Sequence, residues 1–244
     1  MSKDDPARAA REARLIARGA LKGALATTRR AARPSAQGQP YVSKVGVALD
    51  EDGAPLFLFS TLAAHTQDVL ADDRVALLLE APTDAANPLE GARCTLIGRV
   101  RKLEGADAAR ARARYLAHHP GAAMYAGFGD FAMWRMAVDK IQYVGGFGVA
   151  KWAKGADYLC PSLKYADTLI DSLNSQRKDE LAAVVRAATG RAARGWAAVA
   201  VDGDGVAVHG PKGRHARIDF PSFAKDLSAW RGRFRGCVKR AQRT

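Results

Sequence analysis

Cysteine is scarce and unpaired in this sequence: Cys94, Cys160 and Cys237 are odd in number and far apart, with no CxxC among them. That pattern excludes a disulfide framework, offers no zinc cage, and suits a reducing compartment. A run of about 18 apolar residues, the length a membrane span needs, does not occur. The N-terminal stretch lacks the apolar core of a secretory signal, and Arg29-Arg30 leads into Ala31-Ala32-Arg33-Pro34, which is no twin-arginine signal. These absences read as a cytoplasmic protein without membrane contact. Nucleotide loops are missing too. Gly145-Gly146-Phe147-Gly148 has neither the spacing nor the following helix of a dinucleotide fingerprint, and there is no Walker loop or Gly-x-Ser-x-Gly elbow.

What is present is a chain of 244 residues, 48% hydrophobic and 26% charged, enough for a sizeable core in one large or two modest domains. The net charge of +13 raises acidic partners such as nucleic acid, anionic lipid or a phosphorylated ligand. The arginines are scattered, however, with no basic block carrying interleaved aromatics. The charge therefore reads as the habit of an Ala/Arg-rich chain rather than as a nucleic-acid surface.

Residues 1–5 read as disordered, and an amphipathic helix is expected over residues 6–21, with Ala9, Ala13, Ile16, Ala17 and Ala20 inward, Arg8, Arg11, Arg14 and Arg18 around the rest, and Gly23 as its stop. Strands are expected at 23–28, 41–49, 55–59, 75–80, 93–100 and 133–144, with a loop over 29–40 and helices over 62–71 and 106–118. Gly98 in mid-strand suggests a bulge or a close approach. So many hairpin-linked strands exclude βαβ repeats and point to a small antiparallel barrel. Residues 151–165 read as a connector. Beyond it come a helix over 167–188, three strands, and a last helix capped by Ser222. The fold class is α+β, an antiparallel six-stranded split β-barrel over residues 1–155 followed by a small α-β-β-β-α domain over 160–244.

One stretch carries the chemistry. Leu56-Phe57-Leu58-Phe59 reads as a buried strand, Ser60 and Thr61 follow, and a helix begins near His65-Thr66. Such a step exposes helix N–H groups and a positive dipole end, a ready anion site to which the hydroxyls add donors. It reads equally as an ordinary N-cap, with Ser60 or Thr61 serving only its own helix. His118-His119 before Pro120 points two ways from a helix and reads as a C-terminal cation, not a metal pair. His209 and His215, beside Lys212 and Arg214, form a basic cluster that reads as a solvated loop. Cys94 reads as core, and Asp202-Gly203-Asp204-Gly205 as a turn lacking the remaining ligands of a calcium loop.

The blocks Gln39-Pro40-Tyr41-Val42-Ser43, Ser60 to Val69, Gly91 to Gly98, Tyr125-Ala126-Gly127-Phe128-Gly129-Asp130-Phe131 and Tyr143 to Gly148 occur in order over residues 8–153. Together they resemble the pyridoxamine-phosphate-oxidase-related FMN-binding split barrels, and within them the HugZ-type haem-utilisation branch. The tail from about residue 160 resembles the small domain that follows the barrel in that branch. The resemblance implies a homodimer with FMN at the subunit interface and an oxidoreductase acting on a small molecule. It would put Ser43 and Val45 along the flavin, Ser60, Thr61, His65 and Thr66 at the phosphate, and Arg93 toward the ring. The C-terminal arginine-histidine motif of true pyridoxamine-phosphate oxidases is absent. The alternatives are a HugZ-type haem-binding or haem-degrading protein, or a non-catalytic basic protein that binds anions or nucleic acid. The terminal histidine that ligates haem in the HugZ type is also absent, which leaves His209 and His215 as haem-ligand candidates and predicts weak haem binding without efficient degradation.

Overall fold

The computed structural model describes residues 5–30, 38–146, 148–192 and 194–243. The readings made for residues 1–4, for the middle of the 29–40 loop and for Phe147 lie outside the described residues. The chain divides into two compact units, Met1–Leu159 and Cys160–Thr244.

In the first unit, α1 (Pro6–Gly19) opens on Asp5, whose carboxylate accepts from the Ala7 N–H, and buries Ala9, Ala10, Ala13 and Ala17. It stops at Ala20, before Gly23. Arg14 and Arg18 are buried with the alanines rather than turned outward, because their long stems carry guanidinium groups to the backbone carbonyls of Tyr158 (2.6 Å) and Glu51 (2.8 Å). The sheet comprises β1 (Lys22–Thr28), β2 (Pro40–Gly46), β3 (Ala48–Leu49), β4 (Pro55–Ser60), β5 (Arg74–Glu80), β6 (Arg93–Lys102), β7 (Phe131–Val144) and β8 (Ala150–Lys154). Its order is β2-β1-β5-β6-β7-β4-β3 with β8 on β7, and every pairing is antiparallel. It curls as a split barrel around a core of Leu25, Phe57, Leu77, Leu96, Met136 and Ile141.

The sheet has eight strands where six are expected. The stretch 41–49 divides at Val47, whose N–H leaves the ladder for the Leu21 carbonyl (2.9 Å). The second extra strand, β8, and the short α4 (Gly155–Tyr158) come from the segment read as a connector. Between β3 and β4, Asp50 and Asp52 both bind Arg135, and Gly53 takes φ 95°, a conformation glycine enters without penalty. The bulge expected at Gly98 is present: the β6–β7 register shifts there, and a Cβ at Gly98 would overlap the Ala137 carbonyl. Two helices flank the sheet, α2 (Ala64–Ala71) after β4 and α3 (Gly105–His118) after β6.

The second unit contains α5 (Ala166–Asn174), α6 (Lys178–Thr189), β9 (Ala197–Asp202), β10 (Gly205–Gly210), β11 (Arg214–Asp219) and α7 (Leu227–Ala241), with sheet order β11-β10-β9. The single helix expected over 167–188 is two. Asn174 ends α5 by exchanging hydrogen bonds with Ala198 of β9, donating to its carbonyl and accepting from its N–H, both at 2.8 Å. The order is therefore α-α-β-β-β-α. Helix α7 is capped by Asp226, which accepts from the Ala229 N–H at 2.8 Å, and not by Ser222. Its Trp230, Phe234, Cys237 and Val238 close the core over Leu173, Val185, Val206 and Phe220. Among the described residues no helix is long and apolar enough to cross a membrane.

Candidate functional site

The division at Val47 builds one end of a cavity in the first unit. Its volume is about 650 Å³, and it is lined by Leu21, Lys22, Lys44, Val45, Gly46, Leu58, Phe59, His65, Tyr115, His119, Tyr125 and Phe131. That volume lies within the roughly 300–1,000 Å³ range of cofactor and ligand sites. The walls are mostly apolar and aromatic, and the polar groups are two imidazoles, two ammonium groups and the hydroxyls of Tyr115 and Tyr125. Lys22 and Lys44 are exposed. Because Lys22 pairs with Gly46 and Ala24 with Lys44, the two lysines share a face of the β1–β2 ladder as diagonal neighbours.

Helix α3 supplies Tyr115 and ends at His118, with His119 as its cap residue and Pro120 beyond. The His119 ring lies 4.5 Å from that of Tyr115, and its Nε2 sits 2.8 Å from the Val47 carbonyl oxygen. A carbonyl only accepts, so Nε2 carries the hydrogen and Nδ1 keeps the lone pair. Burial pushes the His119 pKa down, against the opposing pull of that hydrogen bond. Burial thus works against the helix-end cation that the position of His119 suggests. Burial also raises the Tyr115 phenol well above its ordinary value, with Tyr125 adding to the shift. The Tyr115 hydroxyl fills the space where Gly46 lacks a Cβ.

His65, in the first turn of α2, packs edge-on against Phe59 with ring centroids 4.7 Å apart. Its pKa is lowered by burial and raised less strongly by Asp68. No hydrogen bond among the described residues reaches either ring nitrogen. Asp68 itself is buried and ties α2 to the end of β1, accepting from the Thr27 hydroxyl (2.9 Å) and the Arg30 N–H (2.8 Å).

Of the residues assigned to FMN, the structure brings Val45 and His65 into this cavity and leaves the others outside its lining. The cap of α2 is Ala63, with no side-chain hydrogen bond, so neither Ser60 nor Thr61 is the N-cap. The Ser60 hydroxyl donates to the Asp130 carboxylate, and the Thr61 N–H donates to the Asp130 carbonyl (2.8 Å). Thr66 is fully buried. Ser43 pairs with Leu25 in the β1–β2 ladder. Arg93 donates to the carbonyls of Leu89 (3.0 Å) and Gly91 (3.2 Å), holding its own loop. His209 and His215 face each other across the β10–β11 register with rings 5.3 Å apart, and line no part of the cavity. Sequence reasoning missed Lys22, Lys44, Gly46, Tyr115, Tyr125 and Phe131. The one local signal was a glycine inside the β-branched run 41–49, which marks a close approach.

An α+β split barrel with a cofactor-sized cavity defines the class. Residues 4–160 match the family model described as CREG, beta-barrel, and the chain belongs to that family. The chain is 32% identical over 183 residues to a curated Arabidopsis thaliana protein, the non-canonical heme oxygenase HOZ, chloroplastic, covering 71% of this chain. The matched region spans about half of that relative, 54% of its length. Among solved structures, protein Atu2129 of Agrobacterium tumefaciens, described as of unknown function, superposes with a TM-score of 0.74 at 24% identity, covering 98% of this chain and 97% of that one. A heme binding protein from Mycobacterium smegmatis superposes with a TM-score of 0.58 at 28% identity, covering 97% and 98% of the two chains.

Proposed function

We propose that this protein binds haem in the cavity of its barrel unit. The observation that carries the reading is the cavity's composition. Apolar and aromatic walls suit the faces of a planar macrocycle, the His65 imidazole offers an iron ligand, and two exposed lysines on one ladder face suit the propionate carboxylates. The names of the Arabidopsis and mycobacterial relatives support the same chemistry. When bound, haem would supply iron-centred oxygen or redox chemistry. The residues here would hold the ring, exclude water from its faces and fix its orientation.

FMN, the reading the resemblance favours, is less well served. A flavin phosphate needs converging donors, whereas the Ser60 hydroxyl is engaged by a carboxylate, Arg93 Nη1 is engaged by carbonyls, and neither they nor the buried Thr66 hydroxyl, which has no hydrogen-bond partner among the described residues, line the cavity. The homodimer belongs to this proposal as well. Val42, Met124 and Phe128 are exposed apolar side chains of the barrel unit that a second copy would cover. Cys94, Cys160 and Cys237, buried and in no disulfide, support a cytoplasmic setting.

The experiment is a pair of titrations of the full chain. Ferric haem should give a saturable shift of the Soret band at one haem per chain, while added FMN should be lost on gel filtration. Retention of FMN together with no haem uptake would overturn the reading.

A further inference from the structure

The second unit carries its own pair of imidazoles. His209 on β10 and His215 on β11 are direct partners in the antiparallel register, next to the Gly210–Arg214 pair that closes the Pro211–Gly213 turn. Val208 and Ala216, the neighbouring pair, pack in the core with Val206 and Ile218, so strand alternation puts both histidines on the opposite face of the ladder. Opposed side chains on one ladder face stand close enough to act together. The two rings are 5.3 Å apart at 87°, and a ligating nitrogen of one lies within 4.8 Å of a ligating nitrogen of the other. Both residues are half-buried on strands, not in the solvated loop that the sequence suggests.

Two imidazole nitrogens bound to one divalent cation at about 2.0–2.1 Å each sit about 3.0–3.4 Å apart. Rotation of the two rings supplies the remaining closure, since the outer torsion of histidine is broad. The donor set selects the ion. Imidazole suits Zn²⁺, Ni²⁺ and Cu²⁺, whereas Mg²⁺ and Ca²⁺ require oxygen, and the carboxylates of this sheet, Asp202 and Asp219, are engaged by Arg217. Haem is a poor fit for the pair. Side chains from adjacent strands approach a metal from neighbouring directions, while a porphyrin leaves only the positions on its two opposite faces. We propose that His209 and His215 form a binding site for a divalent transition-metal ion, a clip across the β10–β11 hairpin whose remaining coordination positions water fills. The exposed Lys212 and Arg214 of the adjoining turn add positive charge, which makes the site weaker than a closed cage of four ligands. The inference is independent of the haem reading above.

Metal-free, full-length protein is titrated with Ni²⁺ and Zn²⁺ by calorimetry. Its Cu²⁺ complex is read by electron paramagnetic resonance, in which superhyperfine splitting counts the nitrogens on the metal. Wild type, His209→Gln, His215→Gln and His65→Gln are compared, and a cooperative melt without metal shows that each variant is folded. One ion per chain is expected, with a two-nitrogen pattern in the wild type and in His65→Gln. Loss of a supporting partner alone costs a metal site about 10–100-fold, so loss of a ligand should weaken binding at least about tenfold in the His209 and His215 variants. Their two-nitrogen pattern should disappear as well. Ni²⁺ should raise the thermal midpoint of the wild type and not that of these two variants, because an ion bound only by the folded chain stabilises it. Unchanged affinity or a persisting two-nitrogen pattern in either variant would overturn the site, as would equal loss in His65→Gln or a wild type that binds none of the three ions. Haem uptake is a separate measurement, so failure here leaves the haem reading standing.

Discussion

Replacing Gly46 by alanine should damage the cavity wall in a way that a second substitution repairs. A Cβ at Gly46 would overlap the Tyr115 hydroxyl, while the ring carbon bearing that hydroxyl, Cζ, lies 3.5 Å away, an ordinary van der Waals distance. Gly46 has no positive φ, so alanine meets no backbone strain and removes the conformational freedom that weakens glycine in a strand. The whole penalty of Gly46→Ala is then the clash, about 1–3 kcal/mol for an overpacked core. The Tyr115 hydroxyl has no hydrogen-bond partner among the described residues, so Tyr115→Phe alone should cost under about 1 kcal/mol. In the Tyr115→Phe background, Gly46→Ala should be neutral within about 0.5 kcal/mol, which makes the coupling in the double-mutant cycle about 1–3 kcal/mol. Amide exchange across the β1–β2 ladder reads the stability of this wall separately from that of the second unit. An equal cost of Gly46→Ala in both backgrounds would refute the contact.

Three further outcomes follow from the same structure. Because burial lowers the pKa of His65 and His119 below 6.5, the unfolded chain takes up protons first as pH falls through 6.5, so the barrel should lose stability below that pH and regain it above. Urea midpoints across that range should show a shallower pH dependence in His119→Gln, and an unchanged slope would remove His119 as a contributor. The Cys94 thiol, fully buried and pushed up to about 12 by desolvation, should escape iodoacetamide in the native protein at mildly alkaline pH and react in urea, as mass spectrometry would show. Arg217→Met should cost the second unit about 3–5 kcal/mol by leaving Asp202 a buried carboxylate stripped of its bidentate partner, and a loss under about 1 kcal/mol in urea unfolding would contradict that role.

The parts of the fold legible in the sequence are those where local pattern and tertiary environment agree. The apolar run from Leu56 to Phe59 is a strand because burial on both sides suits it, and Gly98 marks the bulge of β6 because the Ala137 carbonyl leaves no room for a side chain. Asn174 is opaque because the bond that ends α5 reaches a strand 24 residues on, while its own neighbourhood keeps a helical period. Arg14 and Arg18 are opaque because periodicity assigns charge outward and says nothing of carbonyls within reach of a long side chain. His119 departs from its sequence reading for a related reason. In sequence it is the end of a helix, where a cation is favourable, whereas the burial that lowers its pKa comes from tertiary packing, and the carbonyl its ring meets belongs to a residue 72 positions earlier.

The strand-to-helix step after β4 shows how a recognisable pattern can keep its residues and change its chemistry. Ser60, Thr61, His65 and Thr66 are all present, yet the Ser60 hydroxyl has only one proton to donate, and Asp130 receives it. An incoming phosphate would have to displace that carboxylate and would meet its negative charge, without a guanidinium from Arg93 to compensate, since that group is turned to its own loop. The Thr61 N–H is likewise committed to the Asp130 backbone. The segment carrying Asp130 continues directly into Phe131, which lines the cavity and packs 5.0 Å from Tyr125. The contacts that engage the anion step therefore also hold the aromatic wall of the cavity, and the cationic groups of that cavity are Lys22 and Lys44 on the β1–β2 ladder. The cationic groups that this cavity would offer an anionic ligand are thus ammonium groups on the ladder rather than a helix end. Two separated carboxylates on a flat ring suit that arrangement better than a single phosphate, which needs several converging donors.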